Sequence, residues 1–578
     1  MADYDIHIKG GTIVDGTRLP KYRGDVWIKD GKIAQMGGKN SGTADQVIDA
    51  DGLIVCPGFV DLHTHYDAQI RWDPWCTISG WHGVTSVVLG NCGFGFAPCK
   101  PEFRDRSLLT MTRTEAIPLE TMKAGLLPHW DWESIPEYLD NLEQTPKGVN
   151  TIQYMPTASL MTYVMGLEAA KSRPATPAER AEMQRLLHEG MDAGLCGFSI
   201  QRLGPDSMQA DFDGTPMVTD TMADEDILCL AEVLAEREEG FIQITQNTGA
   251  IKQDLMFEQT LAKVSGRPVL HNVIVTGRKN PLHERTIKWL NSRWDEGEMI
   301  YGQGSTHRTG FLFQLEHWNM YDSSPAWRAV TTGTKEEKFA KMQDPELRAA
   351  LLRETEAAER KLQIIQAGLG GPLEKLVIQG VNRQAELQKY VGRSLGDIAV
   401  DEGKHPVEVM LDISLAGDLK VEFLGPDRGS NADFTSDIFL SSPYTFPGAS
   451  DGGAHTKFLT GGSFTTDFLR WLVRDQKKLT LEEAHYRLSA LPAHAAGFHD
   501  RGTLREGAAA DVVVYSLEDL DIQPEWVGEV AFDLPGDEWR RVQHAIGYKS
   551  IIVNGVETFS DGKCTGETPG RLLRHGRG

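Results

Sequence analysis

Two histidines one residue apart, His63 and His65, close the apolar run FVDLHTHYD at residues 59–67. In a β-strand the side chains at i and i+2 leave the same face. Phe59, Val60 and Leu62, entered through a CPG turn, predict a buried strand here. The spacing therefore predicts two imidazoles side by side at the C-terminal end of that strand. Such a pair is part of a shell for zinc, which favours nitrogen and sulfur ligands; a hydrogen-bonded histidine pair is the plainer alternative. Comparable groups stand near the ends of other predicted strands: Cys92 in GVTSVVLGNCG, His271 in RPVLHNVIVTG and Asp451 in FPGASDGGAH. Each alone has an ordinary reading: Cys92 as a small buried residue, His271 as a core histidine, SDGG as a turn. Collected at one set of strand ends, they form a possible set of metal ligands and acid–base groups.

The elements that would position these groups follow from the alternation of apolar runs with helical patterns. Strands are predicted at 59–65, 83–93, 149–156, 197–200, 240–249, 267–277, 299–306 and 446–455. Helical stretches such as PAERAEMQRLLHEGMDAG fall between them and end in glycine, as helix C-caps do. Eight strands in this alternation predict an α/β chain whose centre, 57–500, is a (β/α)₈ barrel. Two connections are long, 94–148 and 307–445, and both leave from C-terminal strand ends. The second is read as a lid or an oligomer contact, which leaves room for a homo-oligomer. Short strands broken by DG turns at 4–56, with a similar pattern near the other terminus, predict a small β-sandwich built from 1–56 and 501–578.

Composition narrows the function. With 40% hydrophobic and 24% charged residues the chain reads as a soluble globular protein. A formal net charge of −23 argues against nucleic acid, whose phosphates require a basic footprint. No run of about 18 apolar residues predicts a membrane span, and MADYDIHIKGG lacks the pattern of a signal peptide. Seven scattered cysteines in so long a chain do not form a disulfide framework. These readings predict a cytoplasmic protein in which a cysteine is available as a thiolate.

Beyond these local readings, PGFVDLHTHYD, GVTSVVLGNCGFGFAP, HWDWESIPEYLDNLE, ASDGGAH and RGTLREGAAADVVVYSLEDL resemble segments of the amidohydrolase superfamily, and within it of the D-aminoacylase, or N-acyl-D-amino-acid deacylase, group. The resemblance spans almost the whole chain, and the Gly-Asn-Cys-Gly run is its most discriminating part. It implies a metal-bearing barrel beside a β-sandwich, one or two zinc ions (other divalent metals being compatible), and a small-molecule amide as substrate. His63, His65 and Asp451 would hold one ion; Cys92, as a thiolate bridge, and His271 would hold the other. Departures accompany it. Gln246 stands where the group carries a metal-binding histidine, and Thr157 where it carries a second one. Val273, Met299 and Gly462 replace the lysine, tyrosine and arginine that recognise the substrate carboxylate. Ser305 remains, and Ser305, His307, Gln246 and His455 are the expected substrate contacts.

The expected activity is metal-dependent hydrolysis of a carbon–nitrogen bond, linear or cyclic, with simple N-acyl-D-amino acids not the preferred substrate. Ester or lactone cleavage by the same activated water is an alternative. A catalytically silent homologue acting as a binding protein is another.

Overall fold

The structure, a computed structural model, describes residues 2–575 except 39, 208, 277–280, 282, 307, 309, 318–319, 361–371 and 427–430. The N-terminal strands are β1 (Tyr4–Ile13), β2 (Tyr22–Lys29), β3 (Lys32–Met36), β4 (Ala44–Asp49) and β5 (Ile54–Pro57). The central ones are β6 (Phe59–Asp61), β7 (Val84–Leu89), β8 (Asn150–Gln153), β9 (Met155–Pro156), β10 (Gly197–Arg202), β11 (Phe241–Gln246), β12 (Val269–Ile274) and β13 (Ile300–Gly304). A small antiparallel sheet of β14 (Leu312–Phe313), β15 (Val377–Gly380) and β16 (Glu422–Leu424) organises the long insertion before β17 (Thr445–Pro447). The C-terminal strands are β18 (Val512–Tyr515), β19 (Asp521–Gln523), β20 (Glu529–Leu534), β21 (Glu538–Val542), β22 (His544–Ile546), β23 (Tyr548–Val553), β24 (Val556–Ser560) and β25 (Lys563–Cys564).

The central strands are parallel and fall into two sheets, β6-β7-β8 and β9-β10-β11-β12-β13-β17. One residue separates β8 from β9, and a parallel bridge between Thr64 and Gly452 links the chain just beyond β6 to the chain just beyond β17. Val60, Val88, Ile152, Phe241, Leu270, Tyr301 and Phe446 pack into one cluster, so this face of the strands converges on itself. The opposite face, with Ile242, Ile244, Val269, Ile274 and Ile300, belongs to the larger core shared with flanking helices. Each of these side chains is worth about 1.5–3 kcal/mol of burial. The alternation of the two sets along β11 to β13 fixes which residues face the centre and which face the helices.

Strands from both ends of the chain form one nine-stranded sheet, in the order β25-β24-β23-β18-β5-β1-β2-β3 with β4 beside β1. Not all of 501–578 joins this sheet. The strands of 521–546 leave it as two separate hairpin-like pairs, β19 with β22 and β20 with β21. They pack on the loop after β17: Arg541 donates its backbone N–H to the Thr456 carbonyl (2.8 Å) and its Nε to the Lys457 carbonyl (3.0 Å). Lys457 in turn reaches Glu538 at 2.7 Å and lies 4.0 Å from the centre of the Trp539 ring. Among the described residues no helix is long and apolar enough to cross a membrane.

Candidate metal centre

Strand β6 ends at Asp61, and a bend at Leu62 precedes the two histidines, which lie just beyond the strand rather than within it. Their backbone is held from the far side. The His65 N–H donates to the Gly452 carbonyl (2.7 Å), and the Ser450 hydroxyl lies 2.6 Å from Asp61 Oδ2 and 3.0 Å from the His63 carbonyl. Gly453 lies against this segment; a Cβ there would stand 2.8 Å from the His65 carbonyl oxygen, and its φ of +87° favours glycine independently. The rings of His63 and His65 sit 5.5 Å apart.

Cys92 is delivered by the turn that follows β7. Gly90, Cys92 and Gly93 all have positive φ (78°, 57° and 77°), a conformation that glycine takes freely and cysteine does not. Asn91 ties this turn to the histidine segment, its amide donating to the Thr64 carbonyl (2.9 Å) and to that of Val88 (3.1 Å). Below it, Gln243 accepts the Cys92 N–H and Ser199 accepts the Gly93 N–H, both at 2.9 Å. Each member of the Gly-Asn-Cys-Gly run thus has a backbone reason.

The result is a compact donor set. One ligand atom each from His63, His65 and Cys92 lie within 4.8 Å of one another. Asp451 Oδ1 is 3.1 Å from His63 Nε2 and 3.8 Å from His65 Nε2, and Cys92 Sγ is 3.4 Å from His63 Nε2. Donors around a tetrahedral zinc stand roughly 3.3–3.8 Å apart, given bonds of about 2.0–2.3 Å, so the set matches such an ion after small adjustments. The protonation pattern points the same way. Burial opposes charging His63, but Cys92 and Asp451 outweigh it and hold its pKa well above the usual histidine range. His65, buried and beside His63, is pushed down to about 3. Burial raises Asp451, yet its hydrogen bond to His63 and the surrounding imidazoles bring it far below the ordinary carboxylate value. Two potential anions gathered around one proton form a place that favours a cation. Backbone strain gathers here as well: Cys92, Ala116, Ala449, Asp451 and His455 all have φ between 50° and 57°, a conformation that costs about 1–3 kcal/mol at each non-glycine residue.

The other expected ligand is elsewhere. Alternation along β12 puts Leu270 and Asn272 on the convergent face and His271 on the helix face, so His271 does not join the cluster. Its Nδ1 lies 2.8 Å from Glu258 in the helix Ile251–Ser265, and its ring meets Trp289 at 6.0 Å. Burial would lower its pKa, but the Glu258 carboxylate more than compensates and raises it. Gln246 is turned outward in the same way and donates to Asp254 at 3.0 Å. Its neighbour Thr245 takes the facing position, with its Oγ1 3.2 Å from Cys92 Sγ and accepting from Asn272 at 2.8 Å. Gln246 is therefore neither a replacement ligand nor a contact in this cluster.

Of the expected substrate contacts, His455 joins the site, its Nε2 3.7 Å from Asp451 Oδ2. Ser305 follows β13 and is half-buried, its N–H donating to the Ile274 carbonyl at 3.0 Å. His307 lies outside the described residues. At Gly462 a Cβ would stand 2.9 Å from Ser79 Oγ, so a side chain there is crowded from its first atom. Sequence reasoning missed Glu115, which the 94–148 insertion brings to within 4.0 Å of His455 Nε2, and no motif around it marks it out. It also missed Thr245 and Asn272, which a period-two count along QITQ and LHNV could have found.

A model of the amidohydrolase family matches residues 46–564. An N-acyl-D-aspartate deacylase of Alcaligenes xylosoxydans xylosoxydans is 27% identical over 580 aligned residues, which cover 100% of this chain and 96% of that protein. The D-aminoacylase of the same organism is 26% identical, with 99% and 97% covered. Among solved structures, an N-acyl-D-glutamate deacylase of Bordetella bronchiseptica, complexed with zinc and a phosphonate inhibitor, matches with a TM-score of 0.66 at 22% identity over 99% of each chain.

Proposed function

The chain belongs to the amidohydrolase family and is a hydrolase of carbon–nitrogen bonds, and we propose that it cleaves a small amide using one divalent ion, zinc, held by His63, His65, Cys92 and Asp451. The central parallel strands, with β8 and β9 counted as one, are read as a (β/α)₈ barrel, with 1–56 and 501–578 as its β-rich companion. The observation that carries this reading is the convergence of two imidazoles, a thiol and a carboxylate just past the strand ends. Retention of that set argues against a silent homologue. A bound divalent ion supplies positive charge that polarises the amide carbonyl and makes water acidic near neutral pH.

The chain's own groups do the rest. Asp451 is 25% exposed, unlike the nearly sealed His63 and His65, so it is the member of the set that water and substrate can meet. It accepts the proton of the attacking water and returns it to the leaving nitrogen. Its low pKa stems largely from the charged His63; once that imidazole is neutral and ligating, this cause is removed. Gln243 and Thr245 fix Cys92 from below, and Gly452 and Ser450 fix the histidine segment, so donors and base keep one geometry.

Metal content per chain, measured together with a screen of N-acyl amino acids, their amides, cyclic amides, esters and lactones, tests the proposal. The expected result is near one ion per chain and turnover of at least one amide. A metal-loaded protein that hydrolyses none of them overturns it, and turnover confined to esters moves the assignment to ester cleavage.

A further inference from the structure

Cys92 Sγ has a polar neighbour from each side of the strand ends, His63 Nε2 at 3.4 Å and Thr245 Oγ1 at 3.2 Å. In the second contact the surrounding bonds decide which atom supplies the hydrogen. The Cys92 backbone N–H donates to Gln243 Oε1 at 2.9 Å, which fixes the oxygen end of that amide on the turn. The nitrogen end, Gln243 Nε2, therefore meets Thr245 Oγ1, at 2.9 Å. Asn272, opposite Thr245 in the register of β11 and β12, donates its Nδ2 to the same oxygen at 2.8 Å. An amide nitrogen donates and does not accept, whereas a hydroxyl has two acceptor lone pairs and one hydrogen. Both lone pairs of Thr245 are thus taken, and its hydrogen is left for the sulfur.

We propose that Thr245 is a positioning residue of the metal centre: its hydroxyl donates to the Cys92 sulfur, stabilises the thiolate and directs it toward the histidine side. A thiolate that accepts a hydrogen bond gives less charge to a metal, which then keeps more of its own for a carbonyl. The sulfur lone pair facing β11 and β12 meets a hydrogen rather than a second cation, in keeping with one ion per chain. The assignment rests on the reading of Cys92 as a ligand given above.

The test uses the full chain loaded with cobalt(II), which reports a thiolate ligand through a sulfur-to-metal charge-transfer band in the near ultraviolet. A donor on the sulfur stabilises the lone pair from which that transition starts. Thr245→Val, isosteric and without the hydroxyl, should therefore move the band to longer wavelength. It should also weaken retention of the ion against a chelator about tenfold, at the low end for a residue that supports a ligand. Thr245→Ser, which keeps the donor, should leave the band at the wild-type position. A band unmoved in Thr245→Val, or moved equally in Thr245→Ser, overturns the assignment. Should Thr245→Val fail to fold, Thr245→Ala carries the same comparison. A wild-type protein that binds cobalt without the band removes Cys92 as a ligand and this assignment with it. Turnover does not enter the readout: a centre that shows the band and its shift but hydrolyses no amide keeps this assignment and loses the hydrolase reading, so the two fail separately.

Discussion

The strand ends divide into two sides that differ in how they use the same residue types. On the side of β6, β7 and the loop after β17, His63, His65, Cys92 and Asp451 converge. On the side of β11 and β12, His271 and Gln246 face the helices and bond to Glu258 and Asp254, while Thr245 and Asn272 face the cluster. The difference is a single step of register. In a strand, a shift of one residue exchanges the two faces, so a histidine at one position is a ligand and at the next is a buttress between sheet and helix.

The widest break in this comparison comes from the first side. Replacing His63 and His65 together by alanine removes half of the donor set. Metal should be lost, and activity should fall by at least about a thousandfold, beyond the 10–100-fold typical of residues that merely support a ligand. Elemental analysis and amine-release assays on the same preparation check both. Wild-type turnover in the double variant would sink the proposed centre. Next in size is Asp451→Asn, nearly isosteric but unable to take a proton. In metal-replete protein it should lose at least about a hundredfold in kcat, with circular dichroism unchanged.

The second side should respond in stability, not in metal. His271→Ala leaves Glu258 buried without its partner and should cost about 3 kcal/mol, the lower range for breaking a buried pair. Metal per chain should stay at the wild-type value. Because the folded pKa of His271 is raised, its contribution is full below the unfolded histidine value, about pH 6.5, and is lost as pH rises through the folded one. Urea titrations at about pH 5.5 and pH 9 should therefore show the variant's deficit shrinking at the higher pH. The smallest effect separates the faces directly. Gln246→His should leave metal retained after mild chelation unchanged, whereas Asn272→His, on the facing register, should raise it. A gain from Gln246→His alone would mean that β11 presents the opposite face.

Much of the first side was legible because its signals are local. His-x-His places two rings together whether the chain is a regular strand or, as here, has just left one. The Gly-Asn-Cys-Gly run fixes a tight turn through backbone conformations that glycine supplies. Asp451 was found from the ASDGGAH resemblance together with its predicted position at a strand end. The second side was misread for a physical reason. VLHNVI is apolar around the histidine on both faces, so hydrophobic pattern does not tell which of His271 and Asn272 looks inward. Glu115 was illegible, since only the path of the insertion brings it to His455. The alternation of strands and helices was visible from composition and turns. The departure of 521–546 from the terminal sheet was not, because short antiparallel pairs carry the same pattern whichever layer they join.

The pairing of β20 with β21 has a consequence in time as well as in space. Every proposed ligand precedes residue 452, yet the loop that follows Asp451 is gripped by Arg541 and by Lys457 through Glu538 and Trp539. During synthesis the donors therefore emerge well before the hairpin that steadies the loop between Asp451 and His455. The loop that carries the base and its neighbouring histidine is thus steadied by a segment that the ribosome delivers after every proposed ligand.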